Sequence, residues 1–262
     1  MRIGFFVTCL VDAVRPRIGF ASIQLLEAAG CTVEVPAAQT CCGQPGFNSG
    51  DRASGTRLAQ VFLEQFESFD AVVAPSGSCV AMIRDYPGLF ADQPALAERL
   101  QRLVSRTHEL LDFLTHHAPQ PLPAGALPLR ATYHDSCSGL RNLGIKHQPR
   151  QLLATCDGVD LCEMRDAEIC CGFGGSFSVK LGEIATRMAD NKCNHALATQ
   201  PDAILGGDLG CLLNIEGRLR RRGDQRTQVL HVAEVLAAGQ LAASGELPAP
   251  GQFVGMPVTT KD

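Results

Sequence analysis

The sequence predicts an α/β protein of two similar Rossmann-like lobes with parallel sheets, related by an internal duplication and a pseudo-two-fold axis. The first observation is a Cys-Cys-Gly motif that occurs twice, at residues 41–43 and 170–172. Each copy has a lone cysteine thirty-odd residues upstream and another thirty-odd residues downstream, so one three-part pattern is repeated in the same order. The second observation is the alternation of short apolar runs with segments of helical period, which is typical of parallel βαβ units.

In the first half, short apolar runs predict the strands, and apolar residues at helical spacing predict the helices. Gly30 ends the first long helix, and Pro75 stops the third strand. The predicted strands are residues 2–8, 32–35 and 70–74. The predicted helices are residues 16–29, 52–68 and 93–103, with a short helix after Cys79 and a closing segment at 108–116.

The second half shows the same alternation of strand and helix patterns. Its predicted strands are residues 129–134, 159–164, 203–205 and 228–230. Its predicted helices are residues 148–156, 179–198, 211–221 and 231–238. In this interpretation His108 and His231 open the closing helices of the two halves at comparable places.

Proline and glycine mark the expected domain boundaries. Residues 1–118 are predicted to form the first lobe and residues 129–240 the second. The proline-rich residues 119–128 between them are predicted to be a linker. Residues 241–262 are rich in proline and glycine without periodicity, and we expect a poorly ordered tail there.

Composition narrows the class of protein. With 45% hydrophobic and 19% charged residues the chain is globular, and a net charge of −4 gives no electrostatic case for nucleic-acid binding. No apolar run approaches the roughly 18 residues of a membrane span. The apolar start meets Asp12 and Arg15 without a cleavage site, so we expect no signal peptide and a cytoplasmic protein. Twelve cysteines in that compartment favour metal or redox chemistry over disulfides.

Eight of these cysteines follow predicted strands or lie in the loops after them. Because ligands of parallel sheets lie beyond the carboxyl ends of the strands, we expect two sets of four thiols. The first set is Cys9, Cys41, Cys42 and Cys79, and the second is Cys137, Cys170, Cys171 and Cys211. Four thiolates suit an iron–sulfur cluster of the [4Fe–4S] type or a zinc ion. The chain lacks the close Cys-x₂₋₄-Cys spacing of structural zinc sites, which favours iron–sulfur, while zinc stays possible in one lobe.

The remaining cysteines are interpreted as packing residues. Cys31, Cys156 and Cys162 border or occupy apolar elements, where a buried inert thiol is the usual state. Cys193 lies on the longest predicted helix, and its role is less defined. His134 and Asp135 directly precede Cys137, and they either line the second site or serve only the turn.

The arrangement resembles the cysteine-rich CCG-domain family, whose members include a cysteine-rich component of heterodisulfide reductase, the glycolate oxidase iron–sulfur subunit and the lactate utilization protein A group. The family motif is a cysteine, thirty-odd residues, Cys-Cys-Gly, thirty-odd residues and Cys-x-x-Cys, and here the arrangement occurs twice over nearly the whole chain. The flanking residues are most similar to the lactate utilization group. They include Phe5-Phe-Val-Thr-Cys9, Gly43-Gln-Pro45, Ser76-Gly-Ser-Cys79, the run from Cys170 to Lys180, and Cys211-Leu-Leu-Asn214.

The resemblance implies a redox subunit of a complex that oxidises L-lactate to pyruvate. It implies two partners, a ferredoxin-type iron–sulfur subunit (LutB-like) and a third subunit (LutC-like). One departure matters, because Ser76 and Asp208 stand at the first position of the final Cys-x-x-Cys in the two halves. Each half keeps four cysteines but lacks the full set that carries a noncubane cluster in heterodisulfide reductase. The heterodisulfide activity is therefore not carried over, and Ser76 or Asp208 remains open as an oxygen ligand.

Two other functions remain open at this point. One is an electron-transfer subunit of a glycolate or glycerol-3-phosphate oxidase. The other, from a different class, is a zinc-stabilised binding or assembly protein without a redox role. The chain has no convincing flavin or nicotinamide motif, so the redox hypotheses describe a subunit of an oxidoreductase complex rather than a complete enzyme.

Overall fold

In the computed structural model, which describes residues 1–244, each half of the chain forms an alternating series of strands and helices. The first half contains β1 (Arg2–Phe5), α1 (Cys9–Val14), α2 (Pro16–Ala28), β2 (Thr32–Glu34), α3 (Gln44–Asn48), α4 (Arg52–Phe66), β3 (Ala71–Ala74), α5 (Gly77–Arg84), a 3₁₀ helix (Tyr86–Phe90), α6 (Pro94–Val104), β4 (Thr107–Glu109) and α7 (Leu110–His116). The second half contains β5 (Gly125–His134), α8 (Cys137–Leu143), α9 (His147–Leu153), β6 (Cys156–Leu161), α10 (Ser176–Lys180), α11 (Gly182–Leu197), β7 (Ala203–Gly206), α12 (Leu209–Arg221), β8 (Gln228–His231) and α13 (Val232–Ser244).

The strands pair into two four-stranded sheets of the same topology. Their orders are β2-β1-β3-β4 and β6-β5-β7-β8, and every pairing is parallel. The second sheet therefore repeats the first with each strand advanced by four. This confirms the predicted α/β fold of two similar lobes.

Reciprocal helix packing relates the lobes as a pseudo-two-fold axis requires. Helix α13 of the second lobe packs on α2 of the first, and α7 of the first packs on α9 of the second. Likewise α5 packs against α8, and α12 against α1. Each contact between helices of opposite lobes is thus repeated by the two helices at the corresponding positions.

The period of two along each strand directs alternate side chains to opposite faces of its sheet, and the two faces pack into different cores. Ile3 and Phe5 of β1 lie in one buried cluster with Tyr133 of β5 and Leu205 of β7, so the two lobes share this core. Phe6, just after β1, lies in a second cluster whose buried residues all belong to the first lobe. A third cluster belongs almost wholly to the second lobe, with α1 and α2 of the first packed against it. One face of each sheet therefore joins the lobes, while the other face supports that lobe's own site.

Several element boundaries differ from the sequence prediction. His108 lies in β4 and His231 ends β8, so neither opens a closing helix. A three-residue strand with the polar sequence Thr-His-Glu has no apolar run to reveal it, and pairing with β3 alone defines it. Cys156 begins β6 instead of ending the preceding helix, and α1 had no sequence signal of its own.

The boundary regions are partly structured. Strand β5 begins at Gly125, inside the predicted linker 119–128. Helix α13 continues to Ser244, past the predicted start of the tail at residue 241, and residues 245–262 of that tail lie outside the described residues. Within residues 1–244, no helix combines the length and apolar character that crossing a membrane requires.

Candidate metal centre

The fold places the cysteines of each set at corresponding points of its lobe. Cys9 and Cys137 are the first residues of α1 and α8, a few residues after the ends of β1 and β5. Cys79 and Cys211 lie in the first turns of α5 and α12, where the helix dipole favours a thiolate. The adjacent pairs Cys41-Cys42 and Cys170-Cys171 lie in the loops after the second strand of each lobe.

A single cavity of about 620 Å³ brings both sets together. All eight cysteines line it, with residues such as Ser76, Phe173 and Asp208 between them. The duplication predicts one set at the edge of each sheet. Only the packing of the lobes turns those two edges toward each other, so that the sets face a common space.

In the first set the sulfurs lie within direct contact of one another. The Sγ atoms of Cys9 and Cys41 are 3.6 Å apart. Hydrogen bonds from the thiols of Cys42 and Cys9 lower the pKa of Cys41 to about 2, and the same contacts raise the pKa values of Cys9 and Cys42. These contacts favour the thiolate form at Cys41, and binding a metal would release the protons that its neighbours hold.

The second set repeats this pattern of contacts. The Cys137 thiol donates to Cys170, and this contact with burial raises the pKa of Cys137. Cys171 contacts both Cys170 and Cys211. In each lobe the glycine of the Cys-Cys-Gly motif donates its backbone N–H to the first sulfur, from Gly43 to Cys41 and from Gly172 to Cys170, at 3.4 Å in both cases. In both lobes the turn thus places a backbone amide beside the first sulfur of the motif.

Ser76 and Asp208, at the positions where the resemblance leads us to expect a further cysteine, contact each other across the lobes. Ser76 caps α5 by accepting a hydrogen bond from the Cys79 N–H, and Asp208 caps α12 by accepting from Gly210. The Ser76 hydroxyl donates to the Asp208 carboxylate across the lobes at 3.2 Å, and the Ser78 N–H donates to the same oxygen at 2.9 Å. Ser76 and Asp208 therefore form a buried polar link between the two lobes.

Two further side chains fix the buried cysteine of each motif, and sequence reasoning did not identify them. The Tyr86 hydroxyl donates to the Cys42 carbonyl oxygen, and the Asn214 amide donates to the Cys171 carbonyl oxygen, each at 2.9 Å. Asn214 lies in a motif that the resemblance quotes, but its role depends on a contact with a residue far away in the chain. The repeated spacing of the cysteines does not point to Tyr86.

His134 and Asp135 have separate roles. Asp135 is buried and accepts two hydrogen bonds from the Arg150 guanidinium, at 2.8 and 3.0 Å. A ring nitrogen of His134 lies within 4.8 Å of the sulfurs of Cys171 and Cys211. His134 is therefore beside the second set, whereas Asp135 is held in an ion pair.

The other four cysteines lie away from the cavity. Cys31, Cys156 and Cys193 are buried, as the packing interpretation expects, and Cys162 is only half-buried with its sulfur 3.7 Å from the Asp160 carboxylate. All twelve cysteines are free thiols.

The donor set fits a metal group. Each set offers four soft sulfur atoms, the ligand type of zinc and iron–sulfur clusters. A separation of 3.6 Å is close to the spacing of about 3.8 Å that follows from a zinc–sulfur bond of about 2.3 Å in tetrahedral geometry. The cavity, however, is far larger than two single ions need, and this room favours bulkier inorganic groups. The geometry therefore supports metal binding, and the volume favours clusters.

Comparison with known proteins agrees with the duplicated architecture. The profile of the CCG family, described as a cysteine-rich domain, matches residues 3–84 and again residues 131–216. A solved structure of a hypothetical protein from Helicobacter pylori superposes with a TM-score of 0.63 at 9% identity, covering 91% of this chain and 48% of that longer chain. At that identity the likeness concerns the fold alone.

Curated relatives are similar over most of the chain. The lactate utilization protein A of Geobacillus thermodenitrificans is 43% identical over 236 residues, which cover 90% of this chain and 98% of the relative. The lactate utilization protein A of Bacillus subtilis is 41% identical over 236 residues, covering 90% and 99%. Both relatives are thus matched nearly end to end.

Proposed function

Because the chain belongs to the cysteine-rich CCG-domain family and matches lactate utilization A proteins nearly end to end, we propose that it is the iron–sulfur redox subunit of a complex that oxidises L-lactate to pyruvate. The observation that carries this proposal is the single cavity lined by all eight duplicated cysteines. A structural zinc protein needs no such shared space. In a redox protein the shared space is useful, because short separations favour electron exchange between centres and a partner.

In this proposal Cys9, Cys41, Cys42 and Cys79 hold one [4Fe–4S] cluster, and Cys137, Cys170, Cys171 and Cys211 hold the other. A bound cluster supplies one-electron oxidation and reduction. The chain's own residues prepare the site for that group. The N–H groups of Gly43 and Gly172 offset charge on the sulfurs, and the link between Ser76 and Asp208 fixes the spacing of the lobes.

The proposal includes partners and a compartment. Within the complex, a ferredoxin-type subunit and a third subunit would act beside this chain. The relatives' names point to a lactate utilization system, and this chain's cysteine spacing differs from that of a ferredoxin. The twelve free thiols suit the reducing cytoplasm, where we propose that the complex acts.

The first test is metal and acid-labile sulfide analysis with EPR spectroscopy on anaerobically purified protein. We expect iron and sulfide in the wild type. Cys42→Ser and Cys171→Ser should each lose about half of the iron, because serine removes one soft thiolate from one set. Cys156→Ala is the matched control, since that buried thiol lies away from the cavity, and its iron content should equal that of the wild type. Stoichiometric zinc without iron would overturn the redox assignment in favour of a zinc-stabilised binding protein.

The second test concerns the substrate. A strain carrying Cys171→Ser in the chromosomal copy should lose growth on L-lactate as sole carbon source, and Cys156→Ala should keep it. Growth on glycolate and on glycerol is measured in parallel. Loss on glycolate or glycerol with normal growth on L-lactate would instead assign the chain to a glycolate or glycerol-3-phosphate oxidase.

A further inference from the structure

A buried imidazole lies beside the second cysteine set and does not line the cavity. His134 is fully buried, and a ring nitrogen lies within 4.8 Å of the sulfurs of Cys171 and Cys211. Within residues 1–244 neither ring nitrogen makes a hydrogen bond of good geometry, and the Ala167 backbone carbonyl is a polar group close to the ring. A buried polar group without a partner is costly, so its persistence points to a ligand. The ring lies between the Ala167 carbonyl and the sulfurs of Cys171 and Cys211, and in a loaded second set these sulfurs would offer acceptors for an N–H of His134.

A buried ammonium group lies behind this histidine. Lys192 on α11 is 1% exposed, and its Nζ donates to the carbonyl oxygens of Asp166 and Ala167 at 2.6 and 3.0 Å. Its charge acts on His134 and on the sulfurs of Cys170 and Cys171. Lysine is almost never fully buried unless it is paired, and here carbonyl groups and the nearby thiolates supply the compensation.

The first lobe has aromatic rings at the two corresponding positions. Phe6 precedes Cys9 by three residues, as His134 precedes Cys137. The buried positions of α4 and α11 follow the same spacing, which pairs Phe62 with Lys192. Phe6 and Phe62 are in edge-to-face contact at 5.6 Å, within the apolar cluster that also contains Cys42 and Cys79. The first set is therefore backed by hydrocarbon, and the second by an N–H donor and a positive charge.

We propose that His134 and Lys192 are positioning residues that raise the reduction potential of the second cluster above that of the first. This inference rests on the proposed function. A reduced cluster carries one more negative charge than the oxidised cluster, so a hydrogen bond to its thiolates and a nearby cation stabilise the reduced form preferentially. The aromatic wall of the first lobe offers neither interaction, and its low polarity disfavours the added charge.

The experiment is an EPR-monitored redox titration of the full-length, anaerobically reconstituted chain. Cys42→Ser removes the first cluster and leaves the second to be measured alone, and Cys171→Ser does the reverse. We expect the midpoint potential seen in Cys42→Ser to lie above that seen in Cys171→Ser. In the Cys42→Ser background, His134→Phe should lower the midpoint, because it installs the residue of the first lobe. His134→Gln retains an N–H donor and should restore most of the loss.

Lys192→Met and Phe6→Leu complete the design. Lys192→Met should also lower the second midpoint, while Phe6→Leu in the Cys171→Ser background should leave the first unchanged, since it removes no polar group. In the Cys42→Ser background, unchanged second midpoints in both His134→Phe and Lys192→Met, at the iron content of Cys42→Ser itself, would overturn this inference alone. Where His134→Phe fails to retain iron, Lys192→Met decides, and an unchanged midpoint there overturns the inference. A wild type that binds only zinc overturns both proposals.

Discussion

The two lobes present the same sulfur arrangement in different surroundings. The contacts within each set, the glycine amide on the first sulfur and the hydrogen bond to the second motif carbonyl all recur in both lobes. The residues behind the sulfurs do not recur, since Phe6 and Phe62 correspond to His134 and Lys192. The difference shows that the ligand geometry and the surroundings of the sulfurs vary independently. The loops fix the ligand geometry, whereas the sheet face and one helix fix the surroundings.

The largest expected effect comes from comparing how tightly the two Cys-Cys-Gly turns are packed. Gly43 and Gly172 both have positive φ, 81° and 88°. A Cβ on Gly172 would lie 2.6 Å from the Ala185 carbonyl oxygen, whereas one on Gly43 would lie 3.1 Å from a flexible Leu58 methyl group. We expect Gly172→Ala to lower the free energy of unfolding by about 3–5 kcal/mol and Gly43→Ala by about 1–2 kcal/mol. Urea unfolding measures both, and equal losses would show that the turns are equally tight.

The last residues of β4 and β8 provide an opposed pair of titrating groups. Burial raises the pKa of Glu109 to about 8 and lowers the pKa of His231 to about 4. Between pH 4.5 and 8 the folded state keeps the Glu109 proton that the unfolded chain has lost, so stability falls as pH rises. Below pH 6.5 the unfolded chain binds a proton at His231, whereas the folded state does not bind it until about pH 4. The free energy of unfolding therefore falls as pH falls through this range.

The corresponding test uses one variant at each position. Glu109→Gln should remove a loss of about 2 kcal/mol between pH 6.5 and 8, at the slope of about 1.4 kcal/mol per pH unit for one proton. His231→Asn should leave that alkaline loss unchanged. Urea unfolding at four pH values compares each variant with the wild type. An alkaline loss that survives in Glu109→Gln would assign it to other groups.

The hydrogen bonds to the motif carbonyls give the smallest expected difference. Tyr86 is fully buried, so Tyr86→Phe leaves the Cys42 carbonyl oxygen without a partner and should cost about 1–1.5 kcal/mol of unfolding free energy. Asn214 is half-buried, and water can replace its amide at the Cys171 carbonyl oxygen, so Asn214→Leu should cost about 0.5 kcal/mol. Thermal unfolding ranks the two, and the reverse order would mean that the second lobe's motif is the better enclosed one.

Much of the fold could be predicted from the sequence because its signals are local. Helices α2 and α4 begin at the predicted residues, and β3 and β7 lie within one residue of their predicted spans. The signals failed where an element has no apolar period of its own. Strand β4 is polar and three residues long, and α1 is a single short helix whose only buried residue is Val11.

The sequence by itself determined the duplication, the parallel α/β lobes and the position of eight cysteines beyond the strands, because spacing and periodicity are properties of the chain. Only the tertiary structure decided that both cysteine sets line one cavity, that Ser76 and Asp208 meet across the lobes, and that Lys192 is buried beside the second set. These features arise from contacts between residues distant in the chain, and no local pattern encodes which face of one lobe packs against the other. A lysine on an amphipathic helix is expected in solvent, and only the carbonyl groups of Asp166 and Ala167, brought near by folding, make its burial possible.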